Sequence, residues 1–434
     1  MPDFTLEKYA EQESSDLDEF RKQLSRNNRI FKPNGREFFE EKYLPSKLHH
    51  RSNEIRKVLN VLSPCVDGEA PNTLMVYGPS GTGKTAVIKH VGTNLEKIGK
   101  EDNKPISFVY INCSTMDTAY ALFQYLGNYF TEGDKSTIPN TGWPFQAVLD
   151  KVKENLNQKE RVVILALDEI DRLVKKSGDD PLHTLLTLQC ECNNAKIGFV
   201  GISNDLRLCE NFEQRVKSRL AGVTLTFNPY TAEQLKTILE DRAKQAFIEG
   251  KWRENEISLC AAIAAKESGD ARRALRILRT AAEICEADGA ERIEEKHIYE
   301  AKNSIEKDVI KETIQKLRDH EKVTLYAICY LTSRKESVTT GSVYGTYVNI
   351  AKILKTTPLS PRRITEFLSN MDELGLVSAY VQSKGRGGRT KQVELNIPLK
   401  ETIEILESDQ VIKPLTQKLH PKAYIEKTLD DVKE

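Results

Sequence analysis

Long apolar runs, paired cysteines and net charge are all missing from this 434-residue chain. The longest apolar runs, such as 259–265, fall far short of the roughly 18 residues that a membrane span needs. The first residues, MPDFTLEKYAEQESSD, hold no apolar signal core, so no membrane association is expected and the expected compartment is the cytoplasm. Eight cysteines stand at 65, 113, 190, 192, 209, 260, 285 and 329 without a CxxC spacing, which argues against a disulfide framework and for reduced thiols. Cys190 and Cys192 form the only close pair, and without a second ligand cluster they read as packing residues rather than as a metal or redox site. Lys plus Arg equals Asp plus Glu, 64 against 64. Yet residues 311–400 hold 15 Lys/Arg against 8 Asp/Glu, so the balance conceals a basic end.

What is present suits a soluble globular protein, with 39% hydrophobic and 29% charged residues. A chain of this length exceeds one core and implies roughly two to four domains. Residues 1–40 mix charges with few periodic apolar positions and read as a loosely ordered arm. Over 41–228, strand-like runs at 73–77, 107–112, 161–167, 197–202 and 223–227 alternate with helical stretches, the pattern of a mainly parallel sheet with crossover helices. The stretch 115–142 is longer than a crossover requires. From 229 to 318 helical periodicity appears without strands, which marks an all-helical domain, and Thr231 is placed to cap its first helix. Residues 319–400 read as three helices and two short strands around a glycine-rich turn, the order of a winged helix. The segment 401–434 is polar and weakly patterned.

Gly78-Pro79-Ser80-Gly81-Thr82-Gly83-Lys84-Thr85, followed by Ala86, lies between a predicted strand and a predicted helix. Backbone N–H groups of such a loop wrap phosphates, the lysine reaches the β and γ oxygens, and the hydroxyl ligates Mg²⁺. ATP or ADP with Mg²⁺ is therefore expected here, with Thr85 a metal ligand. The third predicted strand ends in Asp168-Glu169, at the edge where open α/β sheets bind ligands. Asp168 is expected to orient the Mg²⁺ shell and Glu169 to polarise an attacking water. The fourth ends in Ser203-Asn204-Asp205, whose amide can hydrogen-bond the γ-phosphate or the water.

With these three strand ends, the chain resembles the AAA+ ATPases, in which Asn204 would be sensor 1. Leu48-His49-His50-Arg51 with Glu54, Tyr110-Ile111-Asn112-Cys113, Leu167-Asp168-Glu169-Ile170-Asp171, Arg215-Val216-Lys217-Ser218-Arg219-Leu220 and Phe227-Asn228-Pro229-Tyr230 are similar to the initiator branch, archaeal replication initiators related to the largest origin recognition complex subunit and its helicase-loading paralogue. The resemblance covers about 43–399. It implies that His50, Arg51 and Tyr230 contact the nucleotide, and that Arg272, in Gly269-Asp270-Ala271-Arg272-Arg273, is the sensor 2 arginine brought by the lid. Ser218-Arg219 matches two positions of the Ser-Arg-Cys motif that in related clamp-loader subunits reaches a neighbour's γ-phosphate. Arg215 is the alternative, and a helix-surface ion pair is the plainer reading of either. In this family an inserted helical motif touches DNA, and it falls within 115–142.

The implied architecture is α/β: a P-loop AAA+ parallel sheet core, an all-helical lid and a C-terminal winged-helix domain. A winged helix puts its third helix into the major groove while the wing reaches phosphates or the minor groove. Arg362 and Arg363 begin that helix, and Lys384, Arg386, Arg389 and Lys391 crowd the wing, so double-stranded DNA is the expected partner. The resemblance implies an origin-binding initiator with slow ATP hydrolysis, acting as a monomer or as an assembly of copies on DNA near the nucleoid, with the replicative helicase as a possible client. An ATP-sensing transcription regulator is the alternative.

Overall fold

The structure is a computed structural model that describes residues 29–131, 137–220, 222–383 and 389–415. It divides into two compact units, Met1–Tyr299 and Glu300–Glu434, and the division falls within one helix. In the first unit, β1 (Leu74–Tyr77), β2 (Ile106–Asn112), β3 (Arg161–Asp168), β4 (Ala195–Ser203) and β5 (Val223–Thr226) form one sheet in the order β2-β3-β4-β1-β5. Each neighbouring pair is parallel. Helix α1 (Ser52–Leu62) precedes the sheet, and α2 (Lys84–Glu101), α3 (Ala119–Tyr129), α4 (Phe145–Leu156), α5 (Ile170–Ser177), α6 (Asp180–Glu191) and α7 (Gln214–Leu220) connect the strands.

Strand β3 shows why the run 161–167 is unbroken rather than alternating. Its side chains point in turn to two cores, Val163, Leu165 and Leu167 joining one and Val162, Ile164 and Ala166 the other. A strand covered on both faces gains from apolar residues at every position. All five expected strands are present, with their ends moved by one or two residues.

The lid comprises α8 (Ala232–Ala246), α9 (Glu254–Glu267), α10 (Ala271–Ala287) and α11 (Glu295–Lys316). Thr231 caps α8 in a capping box with Gln234, as expected from its position. The arm is the first departure. Residues 1–28 lie outside the described part, but Phe31 bridges to Phe247, and Phe39 stacks on Phe247 at 5.3 Å. The N–H groups of Ile30 and Phe31 donate to Glu286 Oε1 at 2.8 and 3.2 Å. Residues 29–40 are ordered because these aromatics bury one another against the lid.

In the second unit, α12 (Asp319–Ser333), α13 (Thr340–Ile353) and α14 (Pro361–Glu373) precede the antiparallel strands β6 (Val377–Ser383) and β7 (Arg389–Leu395). The segment beyond residue 400 is the second departure. Helix α15 (Leu399–Ser408) places Ile403 and Leu406 in the core of the unit, and Ile412 and Leu415 follow them. Leu399, Ile403 and Leu406 recur at helical spacing, a short apolar stripe within a polar segment. Residues 416–434 lie outside the described part.

All eight cysteines are free. Among the described residues no three His, Cys, Asp or Glu side chains converge as a metal cluster, and no helix is long and apolar enough to cross a membrane.

Candidate functional site

Since β4 lies between β1 and β3, the loops leaving all three converge at one edge of the sheet. Gly81 and Gly83 take positive φ, 70° and 89°, and their hydrogens leave room that a side chain would occupy. A Cβ on Gly81 would fall 1.6 Å from Asp270 Oδ1, and one on Gly83 would fall 2.7 Å from the Tyr230 hydroxyl. Only glycine lets the loop curl beneath the lid at these points.

Lys84 opens α2 and is 6% exposed. Its Nζ donates to the carbonyls of Gly78 and Pro79, both at 2.7 Å, and to Asn204 Oδ1 at 2.9 Å. Burial lowers its pKa, against the pull of Asp168, so an arriving polyphosphate would restore a counter-charge that burial has made scarce. Thr85 Oγ1 donates to Asp168 Oδ2 at 2.6 Å. Tyr110 donates to the same oxygen at 2.8 Å, and Asp168 Oδ1 accepts the Glu169 N–H at 2.9 Å. Burial, then the charge and hydrogen bond of Asp168, push the Tyr110 phenol far up, which keeps it a donor.

Mg²⁺ takes octahedral oxygen ligands, typically one or two from protein with the remainder from phosphate and water. Thr85 and Asp168 supply such a pair beside the P-loop, and the residues fit the ion. Glu169, at φ 53°, turns the chain out of β3 and pairs with Arg172 at 2.8 Å. Asp270 caps α10 by accepting from the Arg272 and Arg273 N–H groups, and the Ala271 N–H donates to Gly81 O at 3.1 Å. Arg272 in turn hydrogen-bonds Ser80 Oγ. The lid thus meets the P-loop through both backbone and side chain, over a cleft that Lys84, Thr85, Asp168, Glu169, Asn204 and Arg272 all line.

Of the expected nucleotide contacts near the P-loop, Arg51 and Tyr230 line the cleft and His50 does not. His50 is exposed, and it is His49 that lines the cleft, 3.5 Å from Asp241. Arg51, 4% exposed, has its guanidinium engaged by protein acceptors. Nε donates to Thr82 O and Nη2 to Asn228 O, both at 2.9 Å, and Nη1 donates to Glu54 at 3.3 Å. The guanidinium also lies 3.8 Å from the centroid of the Tyr230 ring. Arg51 braces the P-loop against α1 and the exit of β5. Tyr230 lines the cleft as its platform.

Arg219 and Arg215 sit on the exposed face of α7, and neither lines the cleft. Arg219 donates to Thr187 Oγ1 at 2.7 Å, and Arg215 pairs with Asp180 and Glu213, each at 2.7 Å. Tyr110 is the residue whose part in the site was missed. The sequence offered its place in the family motif Tyr110-Ile111-Asn112-Cys113, two residues before the end of β2, but no spacing rule joins it to Asp168.

In the second unit, α14 turns Ile364, Phe367, Leu368 and Met371 inward. That leaves Arg362 and Arg363 outside, with side chains 91% and 57% exposed, 3.6 and 2.7 Å from Glu366. Lys391 stands on β7 opposite Val381 and is partly buried. Arg389 begins β7, while Lys384 and Arg386 lie outside the described residues.

Sheet order, P-loop, paired carboxylates and a lid arginine against the loop define an AAA+ ATPase, and an AAA domain family matches residues 68–235. The Cdc6 AAA+ ATPase-type lid domain matches 236–303, and the CDC6 C-terminal winged helix domain matches 312–405. An ORC1-type DNA replication protein of Thermococcus kodakarensis is 42% identical over 388 residues, 89% of this chain and 93% of that one. An ORC1-type DNA replication protein 1 of Methanosarcina mazei is 41% identical, over 89% of this chain and 92% of that one. The structure of the Aeropyrum pernix ORC1 protein in complex with DNA matches with a TM-score of 0.79 at 35% identity, over 89% of this chain and 99% of that one. The chain belongs to the ORC1-type DNA replication proteins.

Proposed function

We propose that this initiator binds origin duplex DNA through its winged helix under the control of the ATP or ADP in its cleft. The observation that carries the reading is the contact of Arg272 with Ser80, which makes the lid a party to whatever the P-loop holds. In this reading the loop 78–86 wraps the phosphates, and Lys84 leaves its carbonyl partners for the β and γ oxygens. Thr85 and Asp168 would hold Mg²⁺, which when bound would supply charge neutralisation for phosphoryl transfer. Glu169 takes the proton of the attacking water, Asn204 orients that water, and Arg272 stabilises the charge on the γ-phosphate.

Hydrolysis is slow, and the solvent-accessible pair of Glu169 with Arg172 at 2.8 Å opens for the carboxylate to act at little cost. Arg219 serves a neighbouring copy on DNA, since it is exposed and does not line its own cleft. Arg362 and Arg363 enter the major groove, the wing with Lys384, Arg386, Arg389 and Lys391 follows phosphates, and a nucleotide-set pose then recruits the replicative helicase. The A. pernix ORC1 protein was solved in complex with DNA, which supports the DNA half.

The test is footprinting of the full chain on its host's candidate origin with ATP, with ADP and without nucleotide. Protection that changes with nucleotide, and that weakens at least about tenfold when Arg362, Arg363, Arg386 and Arg389 become alanine, is expected, since several phosphate contacts carry such affinities. Equal binding by that variant would end the reading.

A further inference from the structure

Tyr344-Gly345-Thr346-Tyr347 has no part in the reading so far. Tyr347 is fully buried, in the middle of α13, and its hydroxyl is its only polar atom. That oxygen accepts the Leu359 N–H at 3.0 Å and lies 2.8 Å from His320 Nδ1 on α12. Leu359 immediately precedes Ser360, the cap residue of α14, whose side chain makes no capping bond. The start of α14 has Pro361 at its first position but no side-chain cap bond, and the buried hydroxyl one residue upstream of the cap ties the chain down in addition. One atom thus joins α12 and α13 to the residue that leads into α14, the helix bearing Arg362 and Arg363.

We propose that Tyr347 is a positioning residue for DNA binding, setting the start of α14 through the Leu359 N–H while His320 holds the hydroxyl in place. The proposal rests on the reading that Arg362 and Arg363 contact the duplex. Tyr347 itself touches no DNA, because it is wholly inside. Phenylalanine at 347 keeps the ring and its packing but leaves a partly buried N–H without its acceptor, so the first turn of α14 loses its anchor.

The experiment is a double-mutant cycle on the full chain, measuring duplex affinity by titration at several salt concentrations. Y347F is expected to bind roughly fivefold more weakly, the effect of one lost hydrogen bond. Its salt slope should be shallower, because fewer phosphates are met at once. R362A/R363A is expected to bind more weakly still, and adding Y347F to it to change nothing further. Nucleotide affinity of Y347F should match the wild type, as a control on folding of the first unit. Should Y347F not fold, H320A removes the other partner of the hydroxyl and carries the same cycle, with a smaller loss expected. Wild-type affinity in Y347F, or a loss that adds fully to that of R362A/R363A, would overturn the proposal alone. Wild-type affinity in R362A/R363A would overturn the DNA-binding reading and the proposal with it.

Discussion

Thr85 donates to Asp168 at 2.6 Å although 83 residues separate them in the chain. The bond ties the first turn of the P-loop helix to the end of β3, and it gives the Mg²⁺ reading a direct handle. Replacing Thr85 by alanine removes the oxygen proposed to ligate the ion and leaves the P-loop glycines intact. The Mg²⁺ concentration for half-maximal ATP binding, read with a fluorescent ATP analogue, should rise about tenfold, while binding in excess chelator stays unchanged. Y110F, which removes the second donor to the same carboxylate oxygen, should move that midpoint the same way by less. An unchanged Mg²⁺ midpoint in T85A would remove Thr85 from the ion's shell.

The role proposed for Glu169 allows binding and chemistry to be separated. Glutamine at that position is nearly isosteric and cannot take a proton, so hydrolysis should fall by about two to three orders of magnitude, within the range of lost general-base catalysis. ATP affinity should remain within about twofold, since no phosphate-wrapping group changes. Phosphate release under single-turnover conditions measures the first and equilibrium titration the second. Retained hydrolysis would reassign the base.

How much of this was legible follows from sequence distance. The P-loop, Asp168-Glu169 and Ser203-Asn204 could be read because each is a local pattern at the end of one apolar run. The sheet order that brings them together is carried by no local spacing, and the P-loop strand meets the strand before Asn204 only through the parallel register Leu74 to Val200. Phe31, Phe39 and Phe247 pack across more than two hundred positions, so the arm read as loose. Arg51 lies in a family motif that implies a nucleotide contact, and it lines the cleft, but its bracing role is not in the motif. Its carbonyl acceptors, Thr82 and Asn228, are backbone atoms that residue identity does not reveal.

The hydrogen bonds of Arg51 to Thr82, Asn228 and Glu54 predict a stability effect. Lysine keeps the charge but cannot span Thr82 O, Asn228 O and Glu54 with one planar fork. R51K should lower the stability of the first unit by about 2 kcal/mol and R51A by about 3 kcal/mol, the range for disrupting a buried, hydrogen-bonded charge. Nucleotide affinity should drop in proportion to the loosened loop. Denaturant midpoints with unchanged slopes test the first claim. A variant of full stability but impaired ATP binding would instead make Arg51 a direct ligand.

The last prediction concerns pH. Lys322 on α12 meets Asp409, just past α15, at 2.6 Å, with side chains 11% and 18% exposed. Burial pushes the Asp409 carboxyl upward, but the Lys322 hydrogen bond and the Val411 N–H outweigh it, and its pKa ends below the ordinary value. A carboxylate whose folded pKa is depressed adds stability that is fully present above its unfolded pKa of about 4 and lost as pH falls through the folded value. The thermal midpoint of the second unit should therefore be flat from neutral pH to about 5 and fall below about 4. D409N should lower stability at neutral pH by about 2 kcal/mol, as expected for a lost hydrogen bond to a charged group, and should show a shallower acid fall. A D409N acid limb parallel to the wild type would mean that other carboxylates govern it, and that α15 is held by Ile403, Leu406 and Leu415 without help from the ion pair.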